Sequence, residues 1–364
     1  MHWRKWMVCG ILPVVLLWTG CHGRSGVESY WLTRGDVEVT EGGEIHPALA
    51  RELQRHSAVE MAQLATEIRQ ASGYNRDLYG LQRRRRGAAA SNLPGPVRDV
   101  VISNAVFNRE DAVTLRIFQP RHAGPGLPVI IYLHGGGWCM GSAAARDNIA
   151  VGLCRAVPAV VVAVNYRLAP EYPYPAALDD IAAVVGKIGA LASKFRADAQ
   201  CLYLAGDGAG GNLAVAFALR NSVVDRGPVV RGMMLFYPAL NLWRMTTPSW
   251  TGYGSGYGMD LAYFQACIDC YVPQRGERNR HFVSPVFADM RGMPPALLVT
   301  GQFDPLRDDA AKFARRMWQE ARPVRYLCLP GMTCGWMTNL QLEREFGRVM
   351  AEAAEFVRRT SAAR

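Results

Sequence analysis

Residues 202–213 read LYLAGDGAGGNL, and this stretch decides the fold. An apolar run, a glycine-rich turn and the start of an alanine-rich segment predict a strand, a tight turn and a helix in succession. The letters GDGAGG also satisfy the G-x-G-x-x-G pattern of dinucleotide-binding loops. With serine at position 208 the turn would instead read G-x-S-x-G, which presents a catalytic nucleophile between a strand and a helix. The rest of the chain has to separate the two interpretations.

Segments typical of strands alternate with segments typical of helices along the chain. Eight apolar runs predict strands, and the first four are rich in Val and Ile and bounded by Gly, Pro and Asn. The eight runs span residues 97–103, 113–118, 129–133, 160–165, 201–205, 233–237, 296–300 and 324–329. Helical spacing of apolar residues predicts helices within 46–69 and at 175–195, 210–221, 308–321 and 341–359. This alternation predicts an α/β fold with a mostly parallel sheet flanked by helices on both faces.

One long segment interrupts the alternation. Residues 241–293 hold the aromatic, glycine-rich WTGYGSGYGMD (250–260), which is typical of an inserted lid. We therefore predict one large domain over 46–364, with cap elements at about 46–95 and 241–293. Its length suits a single sizeable core.

The N-terminus has the pattern of an export signal. Basic residues precede a short apolar stretch (6–18), and small residues lead to Cys21. The end resembles a bacterial lipobox, with Trp18 where leucine is usual. We predict a lipoprotein-type signal peptide over 1–21, lipidation of Cys21 and a tether over 22–45. The protein is then exported and membrane-anchored, or otherwise periplasmic or secreted.

The chain is basic, with 41 Lys and Arg against 31 Asp and Glu among 364 residues. Part of this charge lies in the run Arg83–Arg86, which predicts a solvated loop or contact with anionic lipid headgroups. No nucleic-acid-binding motif accompanies it, so we predict no nucleic-acid partner.

The cysteine pattern gives little sign of a metal site. Of nine cysteines, seven remain after Cys9 and Cys21 are set aside, so not all can pair within one chain. Cys267 and Cys270 form a single C-x-x-C without a second pair, which favours neighbouring turns of a helix over zinc. We predict neither a metal nor another cofactor.

Four motifs in order carry a family resemblance. HGGGW (134–138) follows an apolar strand, and its glycines let backbone N–H groups approach a substrate oxygen. NYRLAPEYPYPAALDD (165–180) comes next, then the glycine-rich turn, DPLRD (304–308) and LPGMTCGW (329–336). The set resembles the hormone-sensitive-lipase-like group of α/β-hydrolases, which includes bacterial carboxylesterases and arylacetamide deacetylase. The resemblance implies an eight-stranded sheet, a helical cap and ester substrates with small to medium acyl groups.

The resemblance assigns roles to individual positions. The oxyanion hole would be formed by the loop His134, Gly135, Gly136 and Gly137 together with the backbone N–H of Ala209. Asp304 matches the acid of the catalytic triad. The position of the nucleophile, normally serine, holds Gly208, and the position of the base, normally histidine, holds Cys334. Two of the three catalytic side chains are therefore replaced.

Other residues are weaker candidates for these roles. His281, the last histidine of the chain, lies in the predicted cap and would have to reach the pocket from above. Ser255 lacks the G-x-S-x-G frame. The thiol of Cys334 would face a carboxylate, which opposes formation of the thiolate. The dinucleotide interpretation places Asp207 in a turn that should cradle phosphates, which is electrostatically unfavourable.

Three functions stay open at this point. The first is a degenerate hydrolase that binds a small apolar or acyl-type ligand without cleaving it. The second is a non-hydrolytic enzyme, such as a lyase, cyclase or isomerase, that uses the oxyanion hole with Asp304 as the base. The third is an unconventional residual esterase.

Overall fold

A computed structural model describes residue 31 and residues 42–55, 58–72, 78–87, 89–108, 113–225 and 227–362. The predicted signal peptide, Cys21 and most of the predicted tether lie outside these residues. Among the helices that are described, none is both long and apolar enough to cross a membrane.

The described chain contains an eight-stranded sheet. Its strands are β1 (Val100–Asn108), β2 (Val113–Pro120), β3 (Leu127–Leu133), β4 (Val160–Asn165), β5 (Ala197–Asp207), β6 (Val230–Phe236), β7 (Ala296–Phe303) and β8 (Val324–Thr333). The order is β1-β2-β4-β3-β5-β6-β7-β8. Strand β2 pairs antiparallel with β1 and with β4, and the remaining neighbours are parallel. The predicted α/β fold with a mostly parallel sheet is confirmed.

Helices cover both faces of this sheet. They are α1 (Pro47–Arg55), α2 (Ala58–Ser72), α3 (Tyr79–Gly87), α4 (Asp147–Ala156), α5 (Ala176–Gly186), α6 (Ile188–Lys194), α7 (Ala209–Arg220), α8 (Pro248–Tyr253), α9 (Leu261–Tyr271), α10 (Arg307–Gln319) and α11 (Glu343–Ala362). All eight residues of β7 are buried, as expected for a strand with helices on both sides. The core therefore lies between the sheet and its two helical layers.

The helix predicted over 175–195 is divided in two. Helix α5 ends at Gly186, and α6 begins after Lys187, whose φ of −104° and ψ of 13° are not helical. Glycine near a helix end favours such a break. The expectation of one continuous helix was wrong at this point.

The arginine run is not a solvated loop, which corrects the prediction. Arg83–Arg86 belong to helix α3, and two of the four side chains are half-buried. Arg84 pairs with Glu67 of α2, and Arg85 Nη1 lies 2.7 Å from Glu171 Oε1. Arg84 and Arg85 therefore form ion pairs with residues distant in sequence and help to pack α3 against the domain.

Helices from the two predicted cap segments pack together. Helix α2 contacts α9, which belongs to the 241–293 segment. Cys267 and Cys270 lie on successive turns of α9, as predicted from their spacing. These two helices form a wall of the cavity described next.

Candidate active site

The turn between β5 and α7 places Gly208 at its apex. Gly208 has φ +52° and ψ −112°, a backbone conformation that residues other than glycine rarely adopt. Its N–H donates to Phe236 O at 2.9 Å, and its carbonyl accepts from Ala239 N at 3.1 Å. A Cβ atom at this position would meet no other atom within 4 Å. The turn is therefore strained for a side chain, but the space above it is open.

We expect Gly208→Ala to lower the free energy of unfolding by about 1 kcal/mol. The added Cβ meets no neighbouring atom, so the cost comes from holding alanine at a positive φ. Gly347→Ala is the matched control, since Gly347 lies in α11 with open space around its Cβ position. The control should gain up to about 1 kcal/mol from helix propensity. Urea denaturation of both variants measures the difference, and equal effects would contradict the argument.

Asp207, the residue before the apex, ties the turn to the oxyanion loop. It is 2% exposed. Its Oδ1 accepts from Tyr132 Oη at 2.6 Å and from Gly135 N at 2.8 Å, while its Oδ2 accepts from Arg146 Nε at 2.9 Å. The carboxylate thus faces internal donors and fixes the loop relative to the turn.

The oxyanion loop depends on its glycines. Gly136 has φ +125° and Gly137 has φ +61°. A Cβ on Gly136 would lie 2.3 Å from Met140 O, and one on Gly137 would lie 2.5 Å from Cys267 Sγ. Because these approaches leave no room for a side chain, the backbone itself faces the cavity.

His134 is a structural residue in this loop. Its ring stacks on Tyr166 with centroids 4.4 Å apart, and its Nδ1 lies 2.9 Å from Gly135 O. Burial lowers its pKa to about 4, so the ring is neutral at physiological pH. These contacts orient the loop, and the lowered pKa disfavours the imidazole as a base.

Asp304 follows β7, and Cys334 follows β8 on the neighbouring strand. Asp304 is completely buried, and its Oδ1 accepts from Leu306 N at 2.9 Å. Its Oδ2 has no hydrogen-bond partner among the described residues. Burial raises the pKa of Asp304 to about 7. Burial and then the charge of Asp304 raise the pKa of the neighbouring Cys334 well above its usual range, so the thiol stays protonated.

We expect Asp304 to make the stability depend on pH between about 4 and 7. The unfolded chain releases this proton near pH 3.9, whereas the folded chain holds it to about 7. The stability that Asp304 contributes below pH 4 is therefore lost as the pH rises to 7. In Asp304→Asn, which mimics the protonated form, this loss should be absent. Urea denaturation from pH 4 to 8 tests it, and parallel pH profiles would contradict it.

A cavity of about 250 Å³ lies between the turn, the oxyanion loop and the two cap helices. The predicted site residues that line it are Gly135, Gly136, Gly137, Gly208, Ala209 and Cys334. Asp304 lies outside the lining, next to Cys334. His281 and Ser255 are exposed and do not line this cavity. In the described part of the chain, no three His, Cys, Asp or Glu side chains are arranged to hold a metal ion.

Residues 130–338 match the family model for the alpha/beta hydrolase fold. The chain belongs to the α/β-hydrolase family. Within this family it falls in the hormone-sensitive-lipase-like group, because its curated relatives are carboxylesterases. It is 33% identical to carboxylesterase NlhH of Mycobacterium tuberculosis over 255 residues, covering 69% of this chain and 77% of the relative. It is 29% identical to ethyl acetate hydrolase of Pseudomonas putida over 259 residues, covering 70% and 79%.

Solved structures agree with this α/β-hydrolase assignment. A thermostable esterase from Pseudomonas putida superimposes with a TM-score of 0.76 at 21% identity, covering 87% of this chain and 98% of the esterase. That likeness shows the fold alone. A hyperthermophilic esterase from Pyrobaculum calidifontis gives a TM-score of 0.71 at 27% identity, covering 88% and 100%.

Tyr237 is among the residues of this α/β-hydrolase site that sequence reasoning missed. Tyr237 directly follows β6, has φ +38° and lines the cavity. Its hydroxyl is buried without a hydrogen-bond partner among the described residues. Burial, and then the charge of Asp207, raise its pKa well above the usual range, so it remains a donor. Its position at the carboxyl end of a predicted parallel strand was the available signal.

A second cavity extends the α/β-hydrolase pocket towards helix α1. It has a volume of about 340 Å³ and shares Met61, Gly258, Cys334 and Gly335 with the first. Its other lining residues include Leu49, Glu52, Leu53, Asp260 and Trp336. The two cavities adjoin, and the shared cysteine lies between them.

Proposed function

We propose that this protein is a catalytically degenerate, carboxylesterase-like α/β-hydrolase that binds a small apolar or acyl-type ligand without cleaving it. The observation that carries the proposal is the open, atom-free space above Gly208 at the apex of the turn. Serine hydrolysis needs a hydroxyl, a base that accepts its proton and an acid that orients the base. Here glycine offers no hydroxyl, and the Cys334 thiol next to Asp304 stays protonated.

The retained features favour binding of a ligand that carries a hydrogen-bond acceptor. The backbone of the oxyanion loop, the N–H of Ala209 and the hydroxyl of Tyr237 surround the cavity. The described residues leave that hydroxyl without an acceptor. Apolar side chains, among them Met61 and Phe264, complete the wall. A carbonyl or carboxylate oxygen on an apolar body matches this lining.

Two measurements test the absence of hydrolysis. The purified protein should hydrolyse p-nitrophenyl acetate and butyrate no faster than a heat-denatured sample. A fluorophosphonate probe, which reports an activated serine, should leave it unlabelled. Turnover or labelling above the denatured control would overturn the proposal and support a residual esterase.

Ligand binding is tested by thermal shift with matched pairs of one chain length, such as octanoate and octylamine. We expect stabilisation by the acid and little by the amine, because the cavity presents donors. Tyr237→Phe should weaken binding of the acid by about tenfold, the value of one buried hydrogen bond. Equal affinity of Tyr237→Phe and the wild type would contradict the role of this hydroxyl.

A non-hydrolytic enzyme is the second candidate, favoured by the pKa of Asp304 near 7 and by its unpartnered Oδ2. Such a carboxylate suits removal of a proton next to a carbonyl group. Against this role, Asp304 is absent from the cavity lining. Exchange of α-protons for deuterium in a bound ketone, followed by NMR, would support the enzyme if Asp304→Asn abolished it.

We also propose that the chain is exported and anchored through a lipid on Cys21. The charged start, the short apolar stretch and the small residues before this cysteine support it. An alkyne-labelled fatty acid fed to the expressing cells should label the wild type and not Cys21→Ala. Cys9→Ala is the matched control and should remain labelled. An unlabelled wild type would contradict the anchor.

A further inference from the structure

Three thiols meet where the oxyanion loop touches cap helix α9. Cys139 belongs to the loop, and Cys267 and Cys270 belong to α9; none of the three is more than 1% exposed. Burial and then the neighbouring thiols of Cys267 and Cys270 raise the pKa of the Cys139 thiol well above its usual range. The Cys270 thiol donates to Ile68 O at 3.4 Å. Cys139 Sγ lies 3.8 Å from Cys267 O. Neither the fold nor the proposed ligand site requires three thiols at this junction.

The backbone on both sides of these thiols is held in place. The indole of Trp138 stacks on Tyr271 with centroids 4.8 Å apart and an interplanar angle of 3°. Arg85 Nε donates to Cys139 O at 2.7 Å. Because aromatic stacking and a charged hydrogen bond fix the neighbouring residues, the cysteines are positioned opposite each other before any bond forms.

We propose that Cys139 and Cys270 form a disulfide that joins the oxyanion loop to cap helix α9 when the chain folds in an oxidising compartment. The inference rests on the predicted export and is independent of what the cavity binds. Cys270 is the favoured partner because the Cys139 thiol lies against the carbonyl of Cys267, and a helical carbonyl points towards the next turn, which holds Cys270. Exported proteins commonly form such bonds.

The chemistry requires a disulfide oxidant, such as a thiol oxidoreductase in its oxidised form or oxidised glutathione. The Cys270 thiolate attacks one sulfur of the oxidant and releases the first thiolate. Cys139, after losing its proton, attacks the sulfur of Cys270 and releases the second. Two protein thiols thus lose two protons and two electrons, and the oxidant becomes two thiols. The neighbouring Cys139 thiol lowers the pKa of Cys270, which suits its role as the attacking thiol.

Mass spectrometry tests the pairing directly. The full-length chain is exported in a bacterial host and extracted in detergent. It is then denatured in the presence of iodoacetamide, which alkylates free thiols, and digested without reduction. We expect most molecules to link Cys139 to Cys270, with the alkyl label on Cys267. Alkylated Cys139, or a bond from Cys139 to Cys267 or to any other cysteine, would overturn the proposal.

Thermal unfolding with and without a phosphine reductant gives a second, independent test. The bond closes a loop of about 130 residues, so its reduction should lower the Tm of the wild type by about 5 °C or more. Cys139→Ala and Cys270→Ala should show no further loss on reduction. Cys328→Ala, on strand β8, is the matched control and should keep the sensitivity of the wild type. An unchanged Tm of the wild type in the presence of the reductant would overturn the proposal.

Discussion

The double variant Gly208→Ser/Cys334→His is expected to hydrolyse p-nitrophenyl butyrate at least about 10³-fold faster than the wild type. The space above residue 208 admits a side chain. Residue 334 adjoins Asp304, whose Oδ2 accepts no hydrogen bond from the described residues. A histidine at position 334 would donate to Asp304, and a serine at position 208 would then have that histidine as its base. General-base catalysis alone contributes about 10² to 10⁴ in rate. The glycines of the predicted oxyanion loop already line the cavity.

The two single variants are the controls for this experiment. A serine without a base and a base without a serine should each stay within about tenfold of the wild type, because members of a triad act as a unit. Fluorophosphonate labelling should appear in the double variant alone. If the folded double variant remained inactive, the pocket would be remodelled beyond the triad positions, and the ester-type cavity proposed for ligand binding would be wrong.

Asp207→Ala is expected to lower the free energy of unfolding by about 3 to 5 kcal/mol. The change leaves the guanidinium of Arg146 without its partner and removes the acceptor for Tyr132 and Gly135 N. The side chains of this ion pair are 20% and 2% exposed, and removal of one partner from a largely buried pair costs about this much. Urea denaturation at pH 7 measures the loss.

Asp99→Ala supplies the comparison for Asp207→Ala. Asp99 pairs with Arg155 at 2.6 Å, but both side chains are about half exposed, at 56% and 51%. Exposed pairs contribute about 0 to 1 kcal/mol. If both variants lost the same stability, the network around Asp207 would have no special structural role.

The sheet was predictable because its strands are short apolar runs, the first four rich in Val and Ile, and they alternate with helical patterns. The turn at Gly208 was predictable for a related reason: its flanking glycines mark a close approach of helix and strand. A Cβ on Gly210 would lie 1.9 Å from Leu133 O. Strands and tight turns of this kind depend on residues close together in sequence, so the local sequence reveals them.

Features that depend on distant partners were not predictable. The run Arg83–Arg86 looks solvated until the fold brings Glu67 and Glu171 to it. The spacing of Cys267 and Cys270 gave their helical turn but not Cys139, which lies more than a hundred residues earlier. Tyr237 has no motif, and its significance comes from a hydroxyl that the fold leaves without a partner.

The glycine at the apex of the turn also bears on how a hydrolytic site could be introduced. Serine at position 208 alone would cost stability at a positive φ and provide no base. Histidine at position 334 alone would provide a base with no hydroxyl to activate. Neither single substitution therefore assembles a nucleophile with its base. Under the function proposed above, hydrolysis requires that both positions change together.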